Sequence, residues 1–292
     1  MDPVPSNISK TYPKRGPLQQ FRLSEGAAFR CFRCGEAKKS KLITLYSSDW
    51  SRKLCNGCYG RLLSLYEIKA GTATDDLRAE QLAEALLSLV SADQLRQAER
   101  TFRASEKRAE VLAPHSLRFV ATAEHVATQL ESDPQLEWSP AVIGLCKAVE
   151  AEVVSRILIP LALLTANQDL SDDKKDKDIG RIAAYCIDTE RKPPELGTFA
   201  HFLQTVIHSK DRRETSTLIR CFLELTRKWT GSTWILDPQG LRYALAILTA
   251  SYRNRAAHID ELSRQDYADC RQHTFGKEGL VWQLVVSTET HK

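Results

Sequence analysis

SPAVIGLCKAVEAEVVSRILIPLALL, residues 139–164, decides the fold. It reads as one long helix, with Ser139 as N-cap and Pro140 at the first helical position. Upstream, Leu77, Leu82, Ala85, Leu86 and Leu89 recur at helical spacing. A run from Ala92 to about Leu112 is charged on most faces, and Pro114 ends it before HSLRFVATAEHVATQLE (115–131) starts another helix. Downstream, helices are expected over GRIAAYCIDT (180–189), TFAHFLQTVIHS (198–209), RETSTLIRCFLELTRKWT (213–230), GLRYALAILTASYRNRAAHI (240–259) and SRQDYADCRQHTF (263–275). The polar stretch NQDLSDDKKDKDIG (167–180) reads as a solvated loop, and LVWQLVVST (280–288) as a strand. The chain is therefore expected to be mainly α.

The ends divide it further. Residues 1–25 carry Pro3, Pro5, Pro13 and Pro17 without periodicity, which reads as a flexible basic arm. Residues 26–71 form a cysteine segment, 72–133 a helical connector, 134–275 a helical bundle, and 276–292 a C-terminal strand and tail. No internal repeat is apparent.

With 292 residues, 42% hydrophobic and 27% charged, composition is that of an ordinary globular protein. The longest apolar run, Ile157 to Ala166, is too short for a membrane span, and the first residues lack a secretory core. A cytoplasmic protein with no membrane partner is expected. Net charge is +4, yet residues 1–60 hold eleven Lys/Arg against four Asp/Glu. A basic segment suits a phosphate-bearing partner or serves as a solubilising surface.

Four of the eight cysteines cluster: Cys31-x2-Cys34, twenty residues, then Cys55-x2-Cys58. Each pair can offer two thiolates from a tight turn, and the second enters a helix whose N-terminus favours thiolate. A structural Zn2+ site is expected; a redox dithiol pair and a rubredoxin-type iron site are the alternatives. KLITLY and the stretch around WSRKL alternate about SSD as a hairpin, and YGRLLSLYEIKA starts a helix that Gly71 ends. Knuckle, hairpin and knuckle at a helix start resemble the treble-clef and zinc-ribbon group of folds. Around them Arg33, Lys38, Lys39, Lys41, Arg52 and Lys53, with Arg30, Phe32 and Trp50, are candidates to bind nucleic acid.

Late in the chain, YRNRAAH (252–258) sets Arg253, Asn254 and His258 in a helix. Arg108 to His115 and Arg118 to His125 show the same loose Arg-His spacing, but neither has a polar residue after its arginine. At about 100° per residue, Asn254 and His258 share one helix face and Arg253 lies about 140° from His258. His258 suits proton transfer near neutral pH, Arg253 offers a fork for phosphate oxygens, and Asn254 can hold either. A structural alternative places Arg253 and Arg255 on a solvated face, with His258 capping the helix and Asp260 or Glu261 pairing with them. Lys147, Glu150 and Glu152 are weaker candidates to support the site.

YRNRAAH, with the surrounding helices at about 137–275, resembles the HEPN superfamily. That resemblance implies an all-helical bundle, a homodimer with both motif helices at the interface, and RNA cleavage without a metal at Arg253, Asn254 and His258. Products would be a 2′,3′-cyclic phosphate and a 5′-OH. It also implies a setting of phage defence or toxin-antitoxin control, with an antitoxin or regulatory protein as partner. Arg255 is then a bystander or an RNA contact. A non-catalytic nucleic-acid-binding or scaffolding protein is the alternative.

Overall fold

Where the sequence suggests a flexible arm over residues 1–25, the protein, described here as a computed structural model, has strands. They are β1 (Ile8–Thr11) and the first part of β2 (Leu18–Arg30). Pro13 and Pro17 fall in the connection between them, where Gly16 takes φ +58°, so the prolines mark a turn. The described residues are 6–131, 137–258 and 261–291; Pro3, Pro5, Pro134 and Asp260 lie outside them. Two compact units are formed, Met1–Thr74 and Asp75–Lys292.

In the first unit, β3 (Ala37–Tyr46) and β4 (Asp49–Leu54) complete an antiparallel sheet in the order β1-β2-β3-β4. The expected hairpin is present. Ser47 and Ser48 take φ 53° and 60°, and this left-handed two-residue turn matches the twist of the flanking strands. Helix α1 (Asn56–Ala70) follows and stops before Gly71, as expected. Along β3 the side chains alternate: Tyr46 joins Leu18, Leu54 and Leu62 of α1 on one face, while Ile43 and Leu45 join Leu23 and Trp50 on the other.

The second unit is helical throughout its described residues, apart from one isolated bridge between Trp229 and Thr290. It begins with α2 (Asp75–Ser88), α3 (Ala92–Ser105) and α4 (Pro114–Leu130). These are no connector: Leu82, Leu86, Val120 and Ala123 are fully buried, and α2 and α4 both pack on α5 (Ser139–Val153). Nearly all of α5 is buried, which is why it is apolar on every side. Gly144 lets its neighbours approach closely, since a Cβ there would stand 2.5 Å from Leu86 Cδ2 and 3.0 Å from Ala123 Cβ. The cap lies one residue earlier than expected, at Trp138, while Glu137 accepts from the Ser139 N–H at 2.8 Å.

The long helix continues into α6 (Ile159–Thr165) through a π turn at Val154–Leu158. Pro160 accounts for the turn: it has no N–H to donate, and in a regular helix its ring would strike the Arg156 carbonyl. The stretch read as a solvated loop holds the short α7 (Ser171–Lys175), whose Asp173 is buried. Asp173 accepts from the Leu218 N–H at 3.0 Å and the Ser216 hydroxyl at 2.5 Å, capping a later helix.

Next come α8 (Gly180–Ile187), α9 (Leu196–His208), α10 (Lys210–Thr215), α11 (Thr217–Thr226) and α12 (Ser232–Leu236). Helix α13 (Leu241–Ile247) runs through a second π turn, Leu248–Arg253, into α14 (Asn254–Ala257). The last two are α15 (Arg264–Phe275) and α16 (Leu280–Ser287). Helix α16 replaces the expected strand. It is buried on most sides, and its Trp282 indole donates to the Phe275 carbonyl at 3.2 Å, so packing overrides its β-branched composition. No helix among the described residues is long and apolar enough to cross a membrane.

Candidate functional site

The sheet and α1 gather the four cysteines. Cys31 and Cys34 sit in the turn after β2, where Gly35 takes φ +70° and its N–H donates to the Cys31 carbonyl at 2.8 Å. Cys55 follows β4 as the cap of α1, and Cys58 lies in the first turn of that helix. All four Sγ atoms lie within 4.8 Å of one another, with Cys34 and Cys55 3.9 Å apart. A tetrahedral ion with bonds of about 2.3 Å requires sulfur separations of about 3.8 Å, so the donor set fits a metal ion.

Burial raises the Cys31 thiol, but backbone N–H donors of Cys34, Cys55 and Arg33 outweigh it and bring it down to about 7. Burial pushes Cys34 and Cys58 up. Four thiolates are therefore favoured together only around a cation.

The basic candidates differ in their settings. Burial lowers the pKa of the Arg33 guanidinium, its charge neighbours include Cys58, Cys31 and Cys34, and its Nη1 is buried without a hydrogen-bond partner. Lys38 and Lys39 alternate across β3, with Lys41 on the Lys39 face. All three are exposed, and Lys38 pairs with Glu36. Lys53 is half-buried, and Arg52, also half-buried, sits 3.4 Å from Asp49. Arg30 is exposed and donates to the Gly35 carbonyl at 2.6 Å. Trp50 belongs to the core beside Phe21, with ring centres 5.1 Å apart, and Phe32 packs near Tyr46, so neither is a free stacking platform. A cavity of about 480 Å3 beside the cysteines takes Lys38, Lys39 and Arg61 into its wall.

In the second unit the π turn changes the phase of the helix before the Arg-Asn-x3-His segment. Arg253 ends that turn and is turned inward, only 7% exposed. Its Nη2 lies 2.5 Å from Asp76 Oδ1, and its Nη1 donates to Asn254 Oδ1 at 3.2 Å. The helix ends at Ala257. His258 is extended, with φ −83° and ψ 172°, so the shared face projected for Asn254 and His258 stops short of the histidine. Its N–H still caps the Asn254 and Arg255 carbonyls, while its imidazole is 52% exposed with Nε2 3.3 Å from Asp75 Oδ2.

Asp75, Asp76 and Arg78, in the first turn of α2, were not foreseen as site residues. Arg78 donates to both Asp75, at 3.4 Å, and the Ala257 carbonyl, at 3.3 Å, tying the two helix ends together. TATDDLRAE carries two acids that mark a helix start, but that signal does not say what they face. Arg255 turns away and pairs with Asp266 at 2.8 Å.

Lys147 on α5 bridges Glu150 at 2.7 Å and Glu80 of α2 at 2.8 Å. Burial opposes its charge, and the two carboxylates outweigh burial and hold the ammonium. Burial pushes the Glu150 carboxyl up, with Lys147 and, more weakly, Arg253 opposing. Glu152 is structural: it accepts from the Ala113 N–H at 2.7 Å and from Arg156 at 2.6 Å. No family model, curated protein or solved structure matches the chain.

Proposed function

We propose that the protein is an endoribonuclease that cleaves RNA by 2′-OH transesterification at Arg253, Asn254 and His258, with no metal at that site, and acts as a homodimer. The carrying observation is that the adjacent Asp75 and Asp76 pair with His258 and Arg253 respectively, with the imidazole half-exposed and the guanidinium also donating to Asn254. In this reading the RNA phosphate displaces Asp76 from Arg253, exchanging one oxyanion for another. His258 takes the 2′-OH proton as the 2′-oxygen bonds to phosphorus. The P–O5′ bond then breaks, and the 5′-oxygen receives a proton from an imidazolium, either the same one or that of a second copy. Arg253 neutralises the charge that builds on the phosphorane.

Zn2+ is the ion that best suits four thiolates in a small module, and Cys31, Cys34, Cys55 and Cys58 would hold it as a staple. Lys38, Lys39 and Lys41 then offer charge to the RNA backbone. The resemblance to HEPN proteins supports a role in phage defence or toxin-antitoxin control, restrained by a protein partner.

The test is incubation of the purified protein with RNA in Mg2+-free buffer, followed by analysis of the product ends. Cyclic-phosphate ends from wild type and intact RNA with His258→Ala support the reading. Equal cleavage by the variant overturns it. A second reading is favoured by the burial of Arg253 against Asp76: a nucleic-acid-binding or scaffolding protein in which this pair is structural. RNA that is bound but left intact by wild type would select it.

A further inference from the structure

A cavity of about 450 Å3 opens between α2, α4 and the first π turn, a size typical of small-ligand sites. Pro114, Phe119, Val154 and Ile159 give it largely apolar walls. Its polar end is the Glu80-Lys147-Glu150 cluster, with Lys192 on the outer side of Glu80 at 3.2 Å, and none of these residues is used in the cleavage chemistry above. The cluster is nevertheless close to that chemistry. Asp76, which holds Arg253, and Glu80, which holds Lys147, are four residues apart on α2, about 6 Å or one turn along the same face. Arg253 is also near enough to Glu150 for its charge to favour the carboxylate. A nucleotide whose phosphate sits on Arg253 would thus find the cavity within the span between its phosphate and its base.

We infer that this cavity is a base pocket that selects guanine next to the scissile phosphate; the inference rests on the ribonuclease reading. The ammonium of Lys147 has three N–H donors, two of which go to Glu80 and Glu150. The third meets a ring carbonyl. Glu150 accepts one bond from Lys147, and a carboxylate offers about four acceptor positions, so two adjacent N–H groups can still be received. Guanine presents that set, with O6 for Lys147 and N1–H and N2–H2 for Glu150, giving three bonds. Adenine, uracil and cytosine each complete only two against Lys147 and Glu150. The cavity's other ammonium, Lys192, is half-exposed and engaged by Glu80 at 3.2 Å and Glu195 at 3.6 Å, so the buried Lys147-Glu150 pair sets the choice. Phe119 and Ile159 supply the apolar surface that the ring faces require.

The experiment titrates the full-length protein with 5′-GMP, AMP, UMP and CMP by calorimetry and maps cleavage positions on a mixed-sequence RNA. GMP should bind about tenfold tighter than the others, from one additional charge-assisted bond, and cuts should cluster beside guanines. Lys147→Met should remove the preference. Because that change leaves Glu150 without its ion-pair partner, while Glu80 keeps Lys192, Ile159→Trp is the second variant: it fills the cavity from an exposed position and should abolish GMP binding and flatten the cut pattern.

Four nucleotides bound alike, none bound, or a GMP preference that survives Ile159→Trp would overturn the pocket. RNA cut without regard to guanine overturns the pocket and leaves the nuclease standing. GMP held in the wild type and lost with Ile159→Trp, while RNA stays intact, supports the guanine site and removes the nuclease.

Discussion

Asp76→Asn tests the arrangement of the site most directly. Removing one member of a buried ion pair costs about 3–5 kcal/mol when both groups are dry. Here the Arg253 side chain is 8% exposed but Asp76 is 41% exposed, and Asn keeps an accepting oxygen, so the expected loss is about 1–2 kcal/mol. For a unit of this size that corresponds to about 3–6 °C in Tm near the middle of the range. Calorimetry of the full chain reads the shift in the transition of the second unit. On the proposed reading, the same substitution removes an anion that competes with phosphate, so affinity for a non-cleavable 2′-O-methyl RNA should rise about tenfold by fluorescence anisotropy. Lower stability together with tighter RNA binding is the signature of a carboxylate occupying the phosphate position. Unchanged Tm would mean that Asp76 does not hold Arg253, and weaker RNA binding would mean that it is no competitor; either result refutes the reasoning.

Three further outcomes are expected. His258→Ala should lower the cleavage rate by about 10²–10⁴-fold, the usual worth of a general acid-base, while RNA affinity by anisotropy changes less than about threefold. Cys34→Ser, or a strong chelator, should release stoichiometric metal and unfold the first unit, seen as loss of its strand signal by circular dichroism, while the melting transition of the second unit persists. Gly144→Ala gains about 1 kcal/mol of helix propensity but forces Leu86 and Ala123 apart, at a cost of about 1–3 kcal/mol; a net fall in Tm is expected, and a rise would show that α2 and α4 yield freely.

The elements that carry local signals were legible in the sequence. The cysteine spacing, the hairpin about Ser47-Ser48 and the stop at Gly71 each depend on a few neighbouring residues, and the structure has all three. What was not legible depends on partners far along the chain. Strand β2 hides behind prolines that belong to its turn, and α16 shows no clean period because it is covered on most sides. Projection at 100° per residue failed at His258 for a different reason: the helix ends at Ala257, so the face shared with Asn254 stops short of the histidine, while the π turn at Leu248–Arg253 shifts the phase of the segment relative to the helix before it. Asp75 and Asp76 have no sequence neighbour that betrays them as the partners of that site.

On the ribonuclease reading proposed above, the pair of Arg253 and Asp76 also requires the rest of the molecule to contribute to RNA binding. A buried guanidinium without a counter-charge would cost several kcal/mol, so the folded protein supplies its own anion. That anion is held at high effective concentration, and an RNA phosphate gains only the difference between two similar charge-assisted contacts. Net affinity must then come from contacts with no internal competitor. Within the second unit, the apolar cavity beside Lys147 would supply a salt-independent share through base burial; separately, the proposed contacts of exposed Lys39 and Lys41 in the first unit would supply a salt-dependent share by releasing counterions from RNA. The two shares separate experimentally. Reversing the charge at Lys39 and Lys41 should flatten the salt dependence of RNA affinity by about two phosphate contacts, whereas Ile159→Trp should lower affinity without changing the slope. A slope unchanged by the lysine substitutions would locate the backbone contacts elsewhere and remove the first unit from RNA binding.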